Sequence, residues 1–319
     1  MLLINFRESY FIMNWKKLGQ IYSITEDMPQ KYGMHPVVEV LDEKTGLIRI
    51  YYTARDEQNT GFLRFMEGIV DNEKFTETFH CRKSLFRKGD LGNFDDSGVC
   101  VCSMVKLKNG VRRFYYYGWN LGVTVPFRNA VGVAEAVGDG EDMQIKRVFP
   151  GAIMDRNMHF PGLCATPFVL AEDGFFRMYF AQGTPWKIKD GEPSVACNIG
   201  YAESDDGLHW IRSMQPSVAN QNDHVVTTPM VYKENGIYKM FYSWRGEKYR
   251  LGYAESLDGQ HFVRKDHMVG ITVSETGWDS EMVEYPEVFA VNGRRYMIYC
   301  GNKYARYGFG LAVLEDDSV

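Results

Sequence analysis

One hydrophobic pattern recurs five times along the chain. At its centre is a short aromatic run: IRIYYTA (48–54), RRFYYYGW (112–119), FRMYFAQG (176–183), YKMFYSWRG (238–246) and RYMIYCGN (295–302). Each run is too short for a stable helix and rich in residues that favour a pleated, buried surface, so each predicts a strand. A turn signal precedes every run: EKTG, LKNG, AEDG, KENG and AVNG. Glycine at the end of such turns supplies positive φ at no steric cost, which makes the strands on either side an antiparallel hairpin.

Before each turn lies another apolar strand, entered in four of five cases through proline: HPVVEVL (35–41), SMVKL (103–107), TPFVL (166–170), TPMVY (228–232) and YPEVF (285–289). After each aromatic run comes a third strand with small residues, as in NAVGVAEA, NIGYAES and RLGYAES. A fourth follows a second tight turn, as in SDDGLHWIR and SLDGQHFVRK. The aromatic runs start 57–64 residues apart. Five repeats of four strands predict an all-β fold, a five-bladed β-propeller with four antiparallel strands per blade. Blades one to five occupy 33–80, 94–150, 159–214, 223–266 and 279–315. The fifth repeat lacks a fourth strand, and NWKKLGQIYS (14–23) reads like HWIRSM (209–214) and HFVRKD (261–266). The N-terminal strand is therefore expected to complete blade five, closing the ring, removing an open sheet edge and making 1–319 one domain.

Composition narrows the partners. The 319 residues carry a formal net charge of −5, which argues against a nucleic-acid partner. Six cysteines at 81, 100, 102, 164, 197 and 300 include no C-x-x-C pair; Cys100 and Cys102 point the same way from a strand, and all six read as reduced core thiols. Histidines lack H-x-x-x-H or H-E-x-x-H spacing, so no catalytic metal is expected, which leaves a structural cation in the central channel open; without a P-loop or G-x-G-x-x-G context no cofactor is expected. The start, MLLINFRESYFIMNWKK, is broken by Arg7 and Glu8 and does not read as a signal peptide. No apolar run is long enough to span a membrane, and a cytoplasmic location is expected.

Strand direction sorts the loops. The Asn-Gly and Asp-Gly hairpins share one face, where Asp205, Asp206 and Asp258 serve turn geometry. The opposite face gathers the loops between second and third strands and the starts of the first strands. There stand Arg55, Trp119, Arg128, Trp186 and Arg245, with His35, Asp96, His159, Asp223, Asp279, Glu281, Glu284 and Tyr285. Carboxylates, cations and indoles around one opening suit a small polar ligand such as a sugar. Arg55, Arg128, Arg156, Arg245 and His159 together suit an anionic or phosphorylated one. Arg128 and Arg156 fit inter-blade salt bridges equally well, and His159 fits a structural role.

The architecture, with VEYP (283–286) at the start of the last inner strand, resembles the five-bladed clan of invertases, levansucrases, arabinanases, β-xylosidases and mannoside phosphorylases. GWNLGVTVPFRNAVGVAEA and GWDSEMVEYP also resemble bacterial glycosidase-like proteins associated with surface-polysaccharide genes. The likeness implies a glycoside hydrolase, with phosphorolysis or non-catalytic sugar binding as alternatives. It also implies that Glu284 is the general acid, its pKa raised by Met282, Val283, Tyr285 and Pro286. The clan pattern shifted by one blade makes Asp96 the base or nucleophile and Asp223 a stabiliser. Asp279 and Glu281 are then sugar ligands. His35 departs from the pattern, standing where the clan has an Asp. FDDSG and WDSEM also align as one repeated loop, which leaves Asp96 and Asp279 open to a bracing role.

Overall fold

The computed structural model describes residues 12–28, 30–222 and 224–315. Almost all of its regular structure is strand. The first strand, β1 (Trp15–Ser23), is followed by β2 (Lys31–Asp42), β3 (Leu47–Arg55), β4 (Gly61–Asp71) and β5 (Lys74–Phe86), of which β2 to β5 pair in that order as a four-stranded antiparallel sheet. A second such sheet comprises β6 (Gly98–Lys106), β7 (Arg112–Leu121), β8 (Phe127–Val137) and β9 (Gln144–Arg147). The third unit comprises β10 (Cys164–Glu172), β11 (Phe175–Gly183), β14 (Cys197–Ser204) and β15 (Ile211–Arg212). Between its second and third strands stands a small separate hairpin, β12 (Lys187–Lys189) and β13 (Glu192–Ser194), which the repeat pattern does not predict.

The fourth unit is β16 (Val225–Glu234), β17 (Ile237–Arg245), β18 (Tyr249–Ser256) and β19 (Val263–Arg264); a single parallel bridge, Cys197 to Val225, joins it to the third. The fifth unit is β20 (Glu284–Val291), β21 (Arg294–Cys300) and β22 (Gly308–Leu314), with β1 added to its outer edge in the register Trp15 to Leu314. First strands touch in succession: β2 with β6, β6 with β10, β10 with β16, β16 with β20, and β20 with β2.

The aromatic runs are uniformly apolar because both of their faces are covered. Alternate side chains of a strand point to opposite faces. In β3, Tyr51 packs with Phe114 and Tyr116 of the second unit, while Tyr52 packs with Tyr296 and Phe309 of the fifth. In β7, Tyr115 meets Met178 and Phe180 of the third. Tyr179 and Tyr242 meet between the third and fourth units, and Phe241 and Tyr299 between the fourth and fifth. Strands enclosed on both faces lose the polar alternation of a sheet with one wet side.

All five first strands are irregular at the same place. The ladder breaks between Met34 and Val37, Val101 and Ser103, Ala165 and Phe168, Thr227 and Met230, and Glu284 and Glu287. In four of them the residue before proline takes a left-handed conformation: His35 (φ 49°), Thr166 (φ 46°), Thr228 (φ 50°) and Tyr285 (φ 54°). Such backbone is unfavourable for these residue types and persists only where the surroundings enforce it.

Near these breaks, a backbone N–H of one unit donates to a side chain of its neighbour. Val101 N donates to Thr53 Oγ1 (3.2 Å), Val169 N to Ser103 Oγ (3.2 Å), Thr228 N to Thr166 Oγ1 (3.2 Å) and Tyr285 N to Ser243 Oγ (2.8 Å). The same link joins the fifth unit to the first: Val38 N donates to Glu287 Oε1 at 3.0 Å. A buried donor left without an acceptor costs roughly 1–3 kcal/mol, so each link holds two units together. Among the described residues, no helix is long and apolar enough to cross a membrane.

Candidate functional site

The irregular first strands surround a cavity of about 600 Å³ to which all five units contribute. His35 and Tyr285 line it from two of the left-handed positions, and Thr166 and Thr228 from the other two. Pre-proline strain thus aims four side chains toward one space. Large aromatic side chains recur around the wall: Tyr32, Tyr117, Trp119, Phe127, Trp186, Tyr249 and Tyr304. Tyr304 comes from Lys303–Ala305, three consecutive residues with left-handed φ of 56°, 60° and 65°.

Two cations face this wall. The Arg55 guanidinium lies 5.1 Å from the Trp119 ring and 5.4 Å from that of Tyr32, close enough for cation–π attraction. Its Nη1 donates to Asn59 Oδ1 at 3.0 Å, while its buried Nε has no hydrogen-bond partner. Arg245 lies 5.3 Å over the Tyr249 ring and donates to the Tyr304 hydroxyl at 3.2 Å. Trp186 is fixed by its Nε1 bond to Gly162 O (3.0 Å) and stands edge-on to Phe127, 5.6 Å between centroids. His35 lies parallel to Tyr285, and burial, with Arg55 nearby, pushes its imidazole down to about 3, leaving it neutral at physiological pH.

No carboxylate is among the described residues of the lining. Glu284 adjoins the lining residue Tyr285 in the chain, as Asp56 adjoins Arg55 and Glu192 adjoins Pro193. Glu284 is fully buried, and neither carboxyl oxygen meets a donor in hydrogen-bonding geometry. Desolvation pushes its pKa well above the ordinary carboxyl value, and the attraction of Arg245 only partly opposes this. Burial thus favours the protonated form of Glu284. Glu287, three residues on, is pushed up to about 8 by burial, against the pull of its bond from Val38 N.

Of the residues expected at the site, the structure brings together His35, Arg55, Trp119, Trp186, Arg245 and Tyr285. Others lie elsewhere. Asp96 accepts from Asn120 Nδ2 (2.8 Å), Ser97 Oγ (2.9 Å) and Gly92 N (3.1 Å), bonds that hold its pKa below the usual range and brace its own loop. Asp279 is buried against Lys17 Nζ (2.6 Å), the Tyr299 hydroxyl (3.0 Å) and Ser274 Oγ (3.1 Å). Glu281 pairs with Lys248 at 3.1 Å on the surface.

Arg156 pairs with the adjacent Asp155 at 3.2 Å, and Arg128 and His159 are exposed outside the lining. Asp223 lies outside the described residues. Asp279 and Glu281 are therefore paired and Glu284 is buried, and the opening they were expected to line is aromatic and cationic. The turn aspartates behave alike: Asp206 and Asp258 each accept two backbone N–H bonds and one from the histidine three residues on.

Sequence reasoning missed Tyr32, Tyr117, Tyr249, Tyr304 and the threonine pair Thr227 and Thr228. The repeated X-Pro step at the start of a first strand was the available signal for Thr166 and Thr228.

No family model matches the chain. The uncharacterised proteins MT1551 and Rv1502 of Mycobacterium tuberculosis (strains CDC 1551 / Oshkosh and ATCC 25618 / H37Rv) are each 35% identical over 309 residues, spanning 95% of this chain and 100% of theirs. A 1,2-β-oligomannan phosphorylase of Thermoanaerobacter sp. (strain X514) is 29% identical over 108 residues, 32% of this chain and 34% of its own. Among solved structures, BT0996 in its RGII complex superposes with a TM-score of 0.75 at 17% identity, covering 97% of this chain and 94% of the other. A GH130 glycoside hydrolase that targets β-1,2 mannosidic linkages, from the family of mannoside phosphorylases, gives 0.66 at 14%, covering 96% and 94%. These structural likenesses establish the fold, that of the propeller glycosidases.

Proposed function

The chain belongs to the family of the Mycobacterium tuberculosis proteins MT1551 and Rv1502, and from that premise we propose that it is a carbohydrate-active enzyme cleaving a glycosidic bond in the central cavity. The five units are read as blades of one closed ring and one domain. The link from Val38 N to Glu287 and the contact of β20 with β2 support closure.

One observation carries the chemistry. A fully buried carboxyl whose protonated form burial favours, Glu284, adjoins the lining residue Tyr285 of a cavity presenting two guanidinium groups and no described carboxylate. A protonated acid can deliver its proton to a leaving glycosidic oxygen. Arg55 and Arg245 suit an anion, and Trp119 and Trp186 offer flat faces to sugar C–H surfaces. This set favours phosphorolysis. A phosphate oxygen held by the guanidinium groups attacks the anomeric carbon as the C–O bond breaks. The Glu284 proton passes to the leaving oxygen, and a sugar phosphate results. The partial likeness to a 1,2-β-oligomannan phosphorylase supports the same reading.

Hydrolysis is the second reading, favoured by the fold shared with glycoside hydrolases. It needs a second carboxyl group to attack or to activate water, at ~5–5.5 Å or ~6.5–9.5 Å from the first. Asp96 or Asp223 would have to supply it. The deciding experiment incubates wild type and Glu284→Gln with a panel of oligosaccharides and aryl glycosides, with and without phosphate, following products by phosphorus NMR. Phosphorolysis requires a sugar phosphate formed only with phosphate present, and turnover reduced roughly 10²-fold or more in Glu284→Gln. A free reducing sugar formed at equal rates without phosphate establishes hydrolysis instead.

A further inference from the structure

We infer that His35, Cys100 and Cys102 form a binding site for one thiophilic divalent cation, Zn²⁺, beside the central cavity. Nothing in the sequence spacing marks such a site, because the histidine is 65 and 67 positions from the cysteines. The fold brings the three together. Cys102 sits at the bulge that interrupts β6 between Val101 and Ser103, which leaves its sulfur close to that of Cys100. His35 reaches them from β2 of the first unit, turned by its left-handed backbone.

One ring nitrogen and both thiol sulfurs lie within 4.8 Å of one another, and His35 Nδ1 is 3.8 Å from Cys102 Sγ. Tetrahedral zinc, with bonds of about 2.3 Å to sulfur and 2.0–2.1 Å to nitrogen, places its ligand atoms roughly 3.5–3.8 Å apart. The set therefore closes on the ion with small side-chain movements.

The surroundings fit this use. The thiol contacts within β6 are long: Cys102 Sγ to Cys100 O at 3.5 Å and Cys100 Sγ to Val101 O at 4.0 Å. These are weak thiol contacts, which ligation of a metal can replace. Two thiolates and a neutral imidazole balance the charge of Zn²⁺, which lowers the cost of burying it. Thiolate and imidazole donors select zinc over magnesium or calcium. Three protein ligands leave one tetrahedral position free, the arrangement of zinc sites that accept an outside donor. Since His35 lines the cavity, a ligand bound there can supply it.

The inference is independent of the sugar reading and is tested without turnover. Reduced, metal-free full-length chain is titrated with Zn²⁺ in competition with a chromophoric chelator, and separately with Co²⁺, whose thiolate charge-transfer absorption reports sulfur ligation. Expected are one equivalent per chain, the charge-transfer band, and a melting temperature that rises with free Zn²⁺. Cys100→Ser and Cys102→Ser each lower affinity by more than about 100-fold, beyond the roughly 10–100-fold range of an indirect effect, while Cys164→Ser binds like wild type. Wild-type chain that takes up no zinc overturns the inference, as does binding that survives in the Cys100→Ser/Cys102→Ser double variant. If a variant fails to fold, the cobalt spectrum of wild type decides: absence of a thiolate band refutes the site.

Discussion

The rings of His35 and Tyr285 stack face to face, with centroids 4.2 Å apart and planes 16° from parallel. They belong to the first strands of the first and fifth units, 250 residues apart in sequence, and both sit at left-handed positions before proline. The stack spans the junction between the last unit and the first. Replacing either ring by alanine is expected to destabilise the protein by about 2–4 kcal/mol in urea unfolding. The coupling in a double-mutant cycle, about 1 kcal/mol, is the part due to the stack itself. Strict additivity would show that the two rings do not support each other.

Glu287 links the same two units through its bond from Val38 N. Glu287→Gln keeps an acceptor for Val38 N, whereas Glu287→Ala strands it and is expected to cost roughly 1–3 kcal/mol. Equal melting temperatures for the two variants would rule out a role for that bond.

The buried acids also set a pH dependence. Glu287 keeps its proton up to about pH 8 in the fold, against 4.5 for an ordinary glutamate, and Glu284 is raised in the same direction. The folded state therefore holds protons that the unfolded chain releases. This contribution to stability is complete below about pH 4.5 and is lost as pH rises through 8. Each group changes it by about 1.4 kcal/mol per pH unit inside its window. Relative to wild type, Glu287→Gln and Glu284→Gln should gain stability between pH 5 and 8, read from urea midpoints in a pH series. A constant difference across that range would refute the assigned protonation.

Asp96 and Arg55 are expected to separate structure from binding. Asp96→Asn weakens the bracing of residues 92–97 and lowers the melting temperature by a few degrees, with turnover kept within about threefold. A loss of 10²-fold or more at an unchanged melting temperature would instead return Asp96 to the reaction and favour hydrolysis.

Arg55→Ala removes a cation from the cavity wall. It is expected to weaken phosphate or anionic-sugar binding about tenfold or more, with a smaller effect on neutral sugars, measured by calorimetry. An equal loss for both kinds of ligand would show that Arg55 holds the aromatic wall in place rather than the anion.

Much of the fold was legible because strand chemistry is local. Tyr51 and Tyr52 in IRIYYTA announce a strand buried on both faces, and the glycine turns give it an antiparallel partner. The likeness of 14–23 to 209–214 and 261–266 pointed to an outer strand, and Trp15 does pair with Leu314. The site was legible only in part. Loop position was enough to select Arg55, Trp119, Trp186 and Arg245, since the loops between second and third strands converge. It did not reveal that Asp279 and Glu281 are paired, because a carboxylate near an opening is free only if no neighbour claims it. Lys17 claims Asp279 across 262 residues, and Lys248 claims Glu281 across 33.

The order of residues alone dictates the repeat: which segments form strands, where they turn, and that each strand must be covered on both sides. Hairpin geometry and hydrophobic burial act over a few residues and are written in the local pattern. Which polar groups share a space is a matter of packing. Packing left Glu284 buried within reach of the Arg245 charge, and it set His35 against Cys102 and Tyr285. Desolvation and charge pairing depend on distances between units, and those distances exist only once the units have come together.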